Sequence, residues 1–198
     1  MKNKINSLVL VLINIISLTS VSQTENEVPL NTSSFDIQNG DYKKDIDNVF
    51  SNYIGTWEGI WNGKTLKLQI IKQPHQLKNF PNGDFYYVDN LIGKYSVTLN
   101  STNTLLYSTF NITDLNETGI YNIGSGKNNK MVFFFKDILC GITCEFILER
   151  NLSNPNLLKY SYLEYQDTWY QENGCPYSNP SSVPMPLPKV NELTLIKL

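Results

Sequence analysis

The sequence contains no alanine, a single arginine (Arg150) and a single histidine (His75) in 198 residues. Each scarcity removes a class of explanation. Alanine is the strongest helix former, and its absence beside plentiful Val, Ile, Thr, Tyr and Phe leans the chain toward strands. One arginine and a net charge of -2 exclude the basic stripe that a nucleic-acid surface needs. His75 with Cys140, Cys144 and Cys175 lacks the local ligand spacing of a zinc site. No Gly-x-Ser-x-Gly elbow accompanies His75, and "GSGK" at Gly124 to Lys127 lacks the Walker spacing. That segment reads as a hairpin turn, and His75 as a solvated loop residue. Glu58, Glu145, Glu149 and Glu164 fall on strands with nothing to set two of them across a cleft. No catalytic residue, metal ligand set or cofactor motif emerges. Asp36, Asn39, Asp41, Asp45 and Asp47 cluster oxygen donors without EF-hand order. A solvated acidic arm is the favoured reading and calcium the other.

Long hydrophobic runs are also scarce. One stands at the start: Lys2 and Lys4, then Leu8 to Ile16 broken only by Asn14, then Ser20-Val21-Ser22. Basic start, short apolar run and small residues at −3 and −1 make a secretory signal over residues 1–22. A membrane-spanning helix needs about 20 apolar residues. Export places the protein in the periplasm or outside the cell. The remaining chain suits one domain, expected to be monomeric. Residues 23–51 read as a polar, loose arm with one helical turn near Asp45 to Asn52, and residues 52–198 as a β domain.

In that domain, "NYIGTWEGIWNG" runs from Asn52 to Gly63 and ends in Asn62-Gly63, the strongest short hairpin signal. "KTLKLQIIK" alternates Leu66, Leu68 and Ile70 against Lys67 and Gln69. A loop with Pro74, Pro81, Asn82 and Gly83 precedes "FYYVDNLIGKYSVTLN", in which Tyr95, Val97 and Leu99 share a face and Gly93 marks a bulge or sharp coil. "NTLLYSTFNI", "TGIYNIG", "KMVFFFKD", "TCEFILER", "NLLKYSYLEY" and "NELTLIKL" continue the series. About nine strands with short connections predict an antiparallel meander closing into one barrel, since closure removes exposed edges. A two-sheet sandwich is the runner-up. The Pro-rich crossing at 175–189 straps one end or sets up the last strand.

Residues two apart in a strand point the same way, so Gly55, Trp57, Gly59 and Trp61 share a face. A helical turn followed by Gly55-Thr56-Trp57 resembles the opening of lipocalin-type barrels. That resemblance implies that Trp57 plugs the closed end, with Gly55 letting the strand coil. Lys197 takes the place where those proteins pack an arginine on the tryptophan. "VPLNTSSFDIQNGDYKKDIDNVFSNYIGTWEGIWNGKTLKL", "LIGKY", "LCG", "GCPY" and "PMPLPKVNELTLIKL" resemble a secreted family of Bacteroidota known only as a domain of unknown function. That resemblance covers nearly the whole mature chain and implies a single-domain envelope or secreted protein without an assigned activity.

An exported chain with three cysteines makes one disulfide and leaves one thiol. Cys140 in "ILCGIT" and Cys175 in "NGCPYS" sit in turns, whereas Cys144 shares a face with Phe146 and Leu148 and reads as a buried small hydrophobe. Along one extended segment Cys140 and Cys144 stand about 13 Å apart, beyond the reach of a disulfide. Cys140–Cys175 is therefore the expected pair, and Cys140–Cys144 across a tight turn the second choice. With Trp61, Tyr95, Phe133, Phe135, Phe146 and Tyr160 facing inward, the leading functional expectation is a lipocalin-like binder of a small, largely apolar ligand. The alternative is a filled barrel that serves as a structural or protein-interaction module of the envelope.

Overall fold

The computed structural model describes residues 25–125, 129–137, 139–163, 174–179 and 182–198. The expected signal segment, Lys127 of "GSGK" and Glu164 lie outside these. The strands are β1 (Glu27–Pro29), β2 (Tyr42–Lys44), β3 (Gly55–Trp61), β4 (Lys64–Asn79), β5 (Phe85–Leu99), β6 (Thr104–Ser108), β7 (Ile120–Ser125), β8 (Lys130–Lys136), β9 (Thr143–Arg150), β10 (Leu157–Leu163) and β11 (Leu193–Lys197). Eight of them close an antiparallel ring in the order β3-β4-β5-β7-β8-β9-β10-β11, and β11 returns to β3 through Ile196↔Glu58 and Lys197↔Trp57. The expected barrel is present, and the sandwich is not.

The ring forms because short turns join strands with one apolar face. Asn62 and Gly63 carry φ of 46° and 72°, which lets Trp61 pair directly with Lys64. Inward positions then alternate: Trp57 on β3, Leu66, Leu68 and Ile70 on β4, Leu91, Tyr95 and Val97 on β5, and Met131, Phe133 and Phe135 on β8 are all buried. Gly93 is inward too, and β7 presses on it. A Cβ there would stand 2.9 Å from Ile120 Cβ and closer still to its Cγ2.

Two expectations need correction. "NTLLYSTFNI" does not enter the ring. Among the described residues β6 pairs only with the last residues of β5, Ser96 to Leu99, and Leu105 and Leu106 are exposed. The ring instead continues from β5 to β7 through Ile92↔Tyr121 and Gly93↔Ile120. β5 is 15 residues long, so one edge has room for β2, β7 and β6 in succession. The arm is also not loose. β1 runs parallel to β2, and β2 runs parallel to β5 through Tyr42↔Tyr87 and Lys43↔Val88.

The helical turn expected near Asp45 to Asn52 is a 3-10 turn at Val49–Asn52, and it brings Phe50 and Tyr53 onto the core. Trp57 is 0% exposed, and its Nε1–H donates to the Tyr53 carbonyl at 2.8 Å. Tyr53 in turn donates its hydroxyl proton to the carbonyl of Asn129 at 2.7 Å. Part of the Pro-rich crossing lies against β10: Leu187 is buried, Tyr160 Oη donates to the Pro188 carbonyl at 3.1 Å, and Tyr162 N–H donates to the Val190 carbonyl at 2.9 Å. Cys140 is disulfide-bonded to Cys175 with Cα atoms 4.9 Å apart, and Cys144 is buried outside the bridge. No helix of the described residues is long and apolar enough to cross a membrane.

Candidate functional site

The inward aromatic residues pack on one another. Phe146 stacks between Phe133 and Tyr160 with ring centroids 5.2 Å apart on both sides. Tyr95 meets Phe135 edge-on at 5.7 Å. These rings are between 0% and 5% exposed, so they leave almost no surface for water or a ligand to touch. Burial raises the pKa of the Tyr95 and Tyr160 hydroxyls. Trp61 is half-buried and packs against the edge of this core, with Lys64 Nζ 6.0 Å from its ring centre. Gly55, Trp57 and Lys197 do come together: Lys197 Nζ is 5.1 Å from the Trp57 centroid, and a Cβ on Gly55 would lie 2.8 Å from Lys197 Cε.

Of the residues read as a solvated acidic arm, Asp36 and Asp47 are exposed as expected, whereas Asp41 and Asp45 are buried, and the loop histidine is placed differently. Asp45 is buried and accepts the N–H groups of Val49 at 2.8 Å and Phe50 at 3.1 Å, capping the 3-10 turn. Asp41 is buried and accepts from Asn26 Nδ2 at 2.9 Å and from Gln38 N–H at 2.7 Å. Asn39 Oδ1 accepts from Phe85 N–H at 2.7 Å. Their oxygens are taken by backbone N–H groups, by Asn26 Nδ2 and, for Asp45, by Lys72 Nζ at 3.7 Å, and among the described residues no three His, Cys, Asp or Glu gather to hold a metal ion. His75 lies within β4, not in a loop. The strand passes through Pro74 by a bulge between Gln73 and Gln76, where a missing proline N–H disrupts nothing, and His75 adopts φ 56° there. Its ring stacks on Tyr87 at 4.1 Å, meets Tyr42 edge-on at 4.7 Å, and reaches the Glu25 carboxylate at 2.8 Å through Nε2.

Asp89 links these parts. It accepts from the Tyr42 hydroxyl, from Lys72 Nζ at 2.8 Å, from Asp45 N–H at 3.0 Å and from His75 N–H at 3.3 Å. Burial pushes its pKa up, but Lys72, Tyr42 and the Asp45 N–H together outweigh burial and hold it below the ordinary carboxylate value. Tyr42 is driven the other way, by burial first and by Asp89 second.

Beside this cluster the sheet opens. On one edge β5 pairs with β2 as far as Val88 and with β7 from Ile92, so among the described residues no strand pairs there at residues 89–91. The Leu91 N–H is accepted by Asn122 Oδ1 at 2.7 Å and by Asn90 Oδ1 at 3.0 Å instead. The seam is a cleft of about 320 Å³. Tyr86, Val88 and Asn90, on the opposite face of β5 from Leu91 and Tyr95, form its floor. Lys43 opposite Val88 and Lys78 opposite Tyr86 stand on its flanks. It shares Ser34 and Tyr86 with a second concavity of about 520 Å³ that is lined by Phe35, Ile37, Phe80 and Phe85. The two adjoin at these residues as a lateral groove, with Lys43, Lys78 and Asp89 toward one end and the aromatic rings with Asp84 toward the other.

Sequence reasoning missed this groove. Lys43 fell in the arm and Lys78 in a loop, and nothing local connects them. The parallel pairing of β2 with β5, which joins residues 45 apart in the chain (Tyr42↔Tyr87), brings both onto one surface. No curated protein and no solved structure matches this chain. A family model does: residues 1–185 match it, and the chain therefore belongs to a family of unknown function, DUF6705.

Proposed function

We propose that this protein is an exported binder of a small, largely apolar molecule, and that it holds that molecule in the lateral groove instead of inside the barrel. The observation that carries this reading is the continuity of the two concavities across Ser34 and Tyr86. Their volumes fall in the range of small-molecule sites, about 300–1,000 Å³, and apolar walls with a few polar tips suit such ligands. In this reading Tyr95, Phe133, Phe135, Phe146 and Tyr160 are packing residues, Trp61 belongs to the partly exposed rim, and Gly55, Trp57 and Lys197 stop one end of the barrel. Export to the periplasm or beyond is supported by the signal-like start and by the Cys140–Cys175 bridge, a bond that persists in oxidising compartments. No enzymatic role is invoked, and the binder is taken to act as a monomer.

A second reading, an envelope interaction module with a filled barrel, draws on Phe35, which is 100% exposed on the groove wall. One experiment separates them. Isotope-labelled protein is titrated with octanol, and amide shifts are followed by NMR. Shifts confined to Phe85, Tyr86, Val88 and their neighbours support the lateral site. Shifts centred on Phe133, Phe146 and Leu148 would return the ligand to the barrel interior, and a spectrum unmoved by octanol would favour the interaction module.

A further inference from the structure

We propose that the ligand of the lateral groove is an amphiphilic anion, with a carboxylate or phosphate head held by Lys43 and Lys78 and an apolar body lying along Tyr86, Phe85, Phe80 and Phe35. This rests on the groove being the binding site and adds the charge of what it takes.

Lys43 and Lys78 are half-buried, and among the described residues the ammonium group of neither makes a hydrogen bond or an ion pair. Most other lysines of the fold are engaged: Lys44 with Glu27, Lys67 with Glu58, Lys72 with Asp89, Lys130 with Glu149 and Lys159 with Glu192. The carboxylate that borders the cleft, Asp89, already takes Lys72, the Tyr42 hydroxyl and two backbone N–H groups. Withdrawing a cation from water without a partner is unfavourable. Burial accordingly lowers the pKa of both ammonium groups. Two such cations on the flanks of one concave seam are what an arriving anion relieves, and the low-dielectric walls strengthen the attraction. A further donor is at hand, because among the described residues Asn122 Nδ2 meets only the Met131 thioether, at 3.7 Å.

The register explains the shape of the ligand. Lys43 and Lys78 stand opposite Val88 and Tyr86, and Tyr86 belongs to both concavities. A head group between the lysines therefore sends its body past Tyr86 toward Phe80 and Phe35. A purely apolar ligand would leave both cations uncompensated, and a cationic amphiphile would be repelled.

Isothermal titration calorimetry on the full folded chain tests this with octanoate, octyl phosphate, octanol and octyltrimethylammonium. Octanoate or octyl phosphate should bind at least about tenfold tighter than octanol, since hydrogen bonds to charged groups contribute about 1.5–3 kcal/mol. The cationic probe should be weakest, and the advantage of the anions should shrink with added salt. Lys43→Gln and Lys78→Gln should each remove most of that advantage. Equal binding of anion, alcohol and cation at the groove, unaltered in both variants, would overturn the anion assignment and leave the groove reading standing. Absence of binding by all the probes would overturn both. The probe series on the unmodified protein decides the matter even where a variant folds poorly.

Discussion

Lys197, the penultimate residue, closes over Trp57: its Nζ stands 5.1 Å from the ring centre while its Cε passes where a Cβ of Gly55 would be. The register Lys197↔Trp57 between β11 and β3 puts them together, so the last strand both completes the ring and covers the first tryptophan. Lys197→Met should cost about 1 kcal/mol. Gly55→Ala should cost about 1–2 kcal/mol, because Gly55 has φ 136° and the new methyl would displace the Lys197 stem. Urea denaturation of Trp57→Phe, Lys197→Met and the double variant measures the coupling directly. Purely additive losses would show that the ammonium and the ring do not interact.

Phe146 is 0% exposed and flanked on both faces by aromatic rings. Phe146→Ala should therefore destabilise by about 3–5 kcal/mol, the range for emptying a packed aromatic site. A residue lining a ligand cavity would cost far less, since its removal would enlarge a space already present. A loss below about 1 kcal/mol would argue for an interior binding site.

Asp89 links the arm strand β2, the bulge of β4 and the 3-10 turn region. Its pKa in the folded protein is lowered, so its contribution is complete above about pH 4 and is lost as pH falls below that. Tyr42 has the opposite sign. Its folded pKa is raised, so its contribution is complete below about pH 10 and fades as pH rises beyond it. Asp89→Asn should cost about 3 kcal/mol at neutral pH and flatten the acid limb of a stability-against-pH curve. An acid limb identical to that of the unmodified protein would place the acid sensitivity elsewhere.

Cys140 and Cys175 are 35 residues apart in the chain. Replacing both by serine should cost about 3–4 kcal/mol in the chain-entropy account. Cys144 is 0% exposed, so a thiol reagent should find nothing in the native protein and one thiol per chain once it is unfolded without reductant. Two or more reactive thiols in the unfolded, unreduced chain would contradict the bridge.

Much of the barrel is legible residue by residue. The alternation of Leu66, Leu68 and Ile70, the Asn62-Gly63 turn, the inward set Cys144, Phe146 and Leu148, and the choice of Cys175 over Cys144 as partner of Cys140 all follow from spacing and turn chemistry. The proline at 74 misleads, because a bulge lets β4 pass through it and carry His75 into contact with Tyr42 and Tyr87. β6 misleads too: its apolar content looks like a ring strand, yet it pairs at only one margin of β5.

By itself the sequence determined the strand class and favoured a closed barrel over a sandwich and Cys140–Cys175 over Cys140–Cys144, because period-two alternation, left-handed turn residues and the reach of a cysteine pair are local properties. Which segments would share the long edge of β5 was decided only in the folded molecule. There β2, β7 and β6 take separate stretches of the same row of backbone donors and acceptors. The interval left between β2 and β7 became the cleft that Lys43, Lys78 and Tyr86 line, and no local pattern in the chain encodes a gap between two non-neighbouring strands.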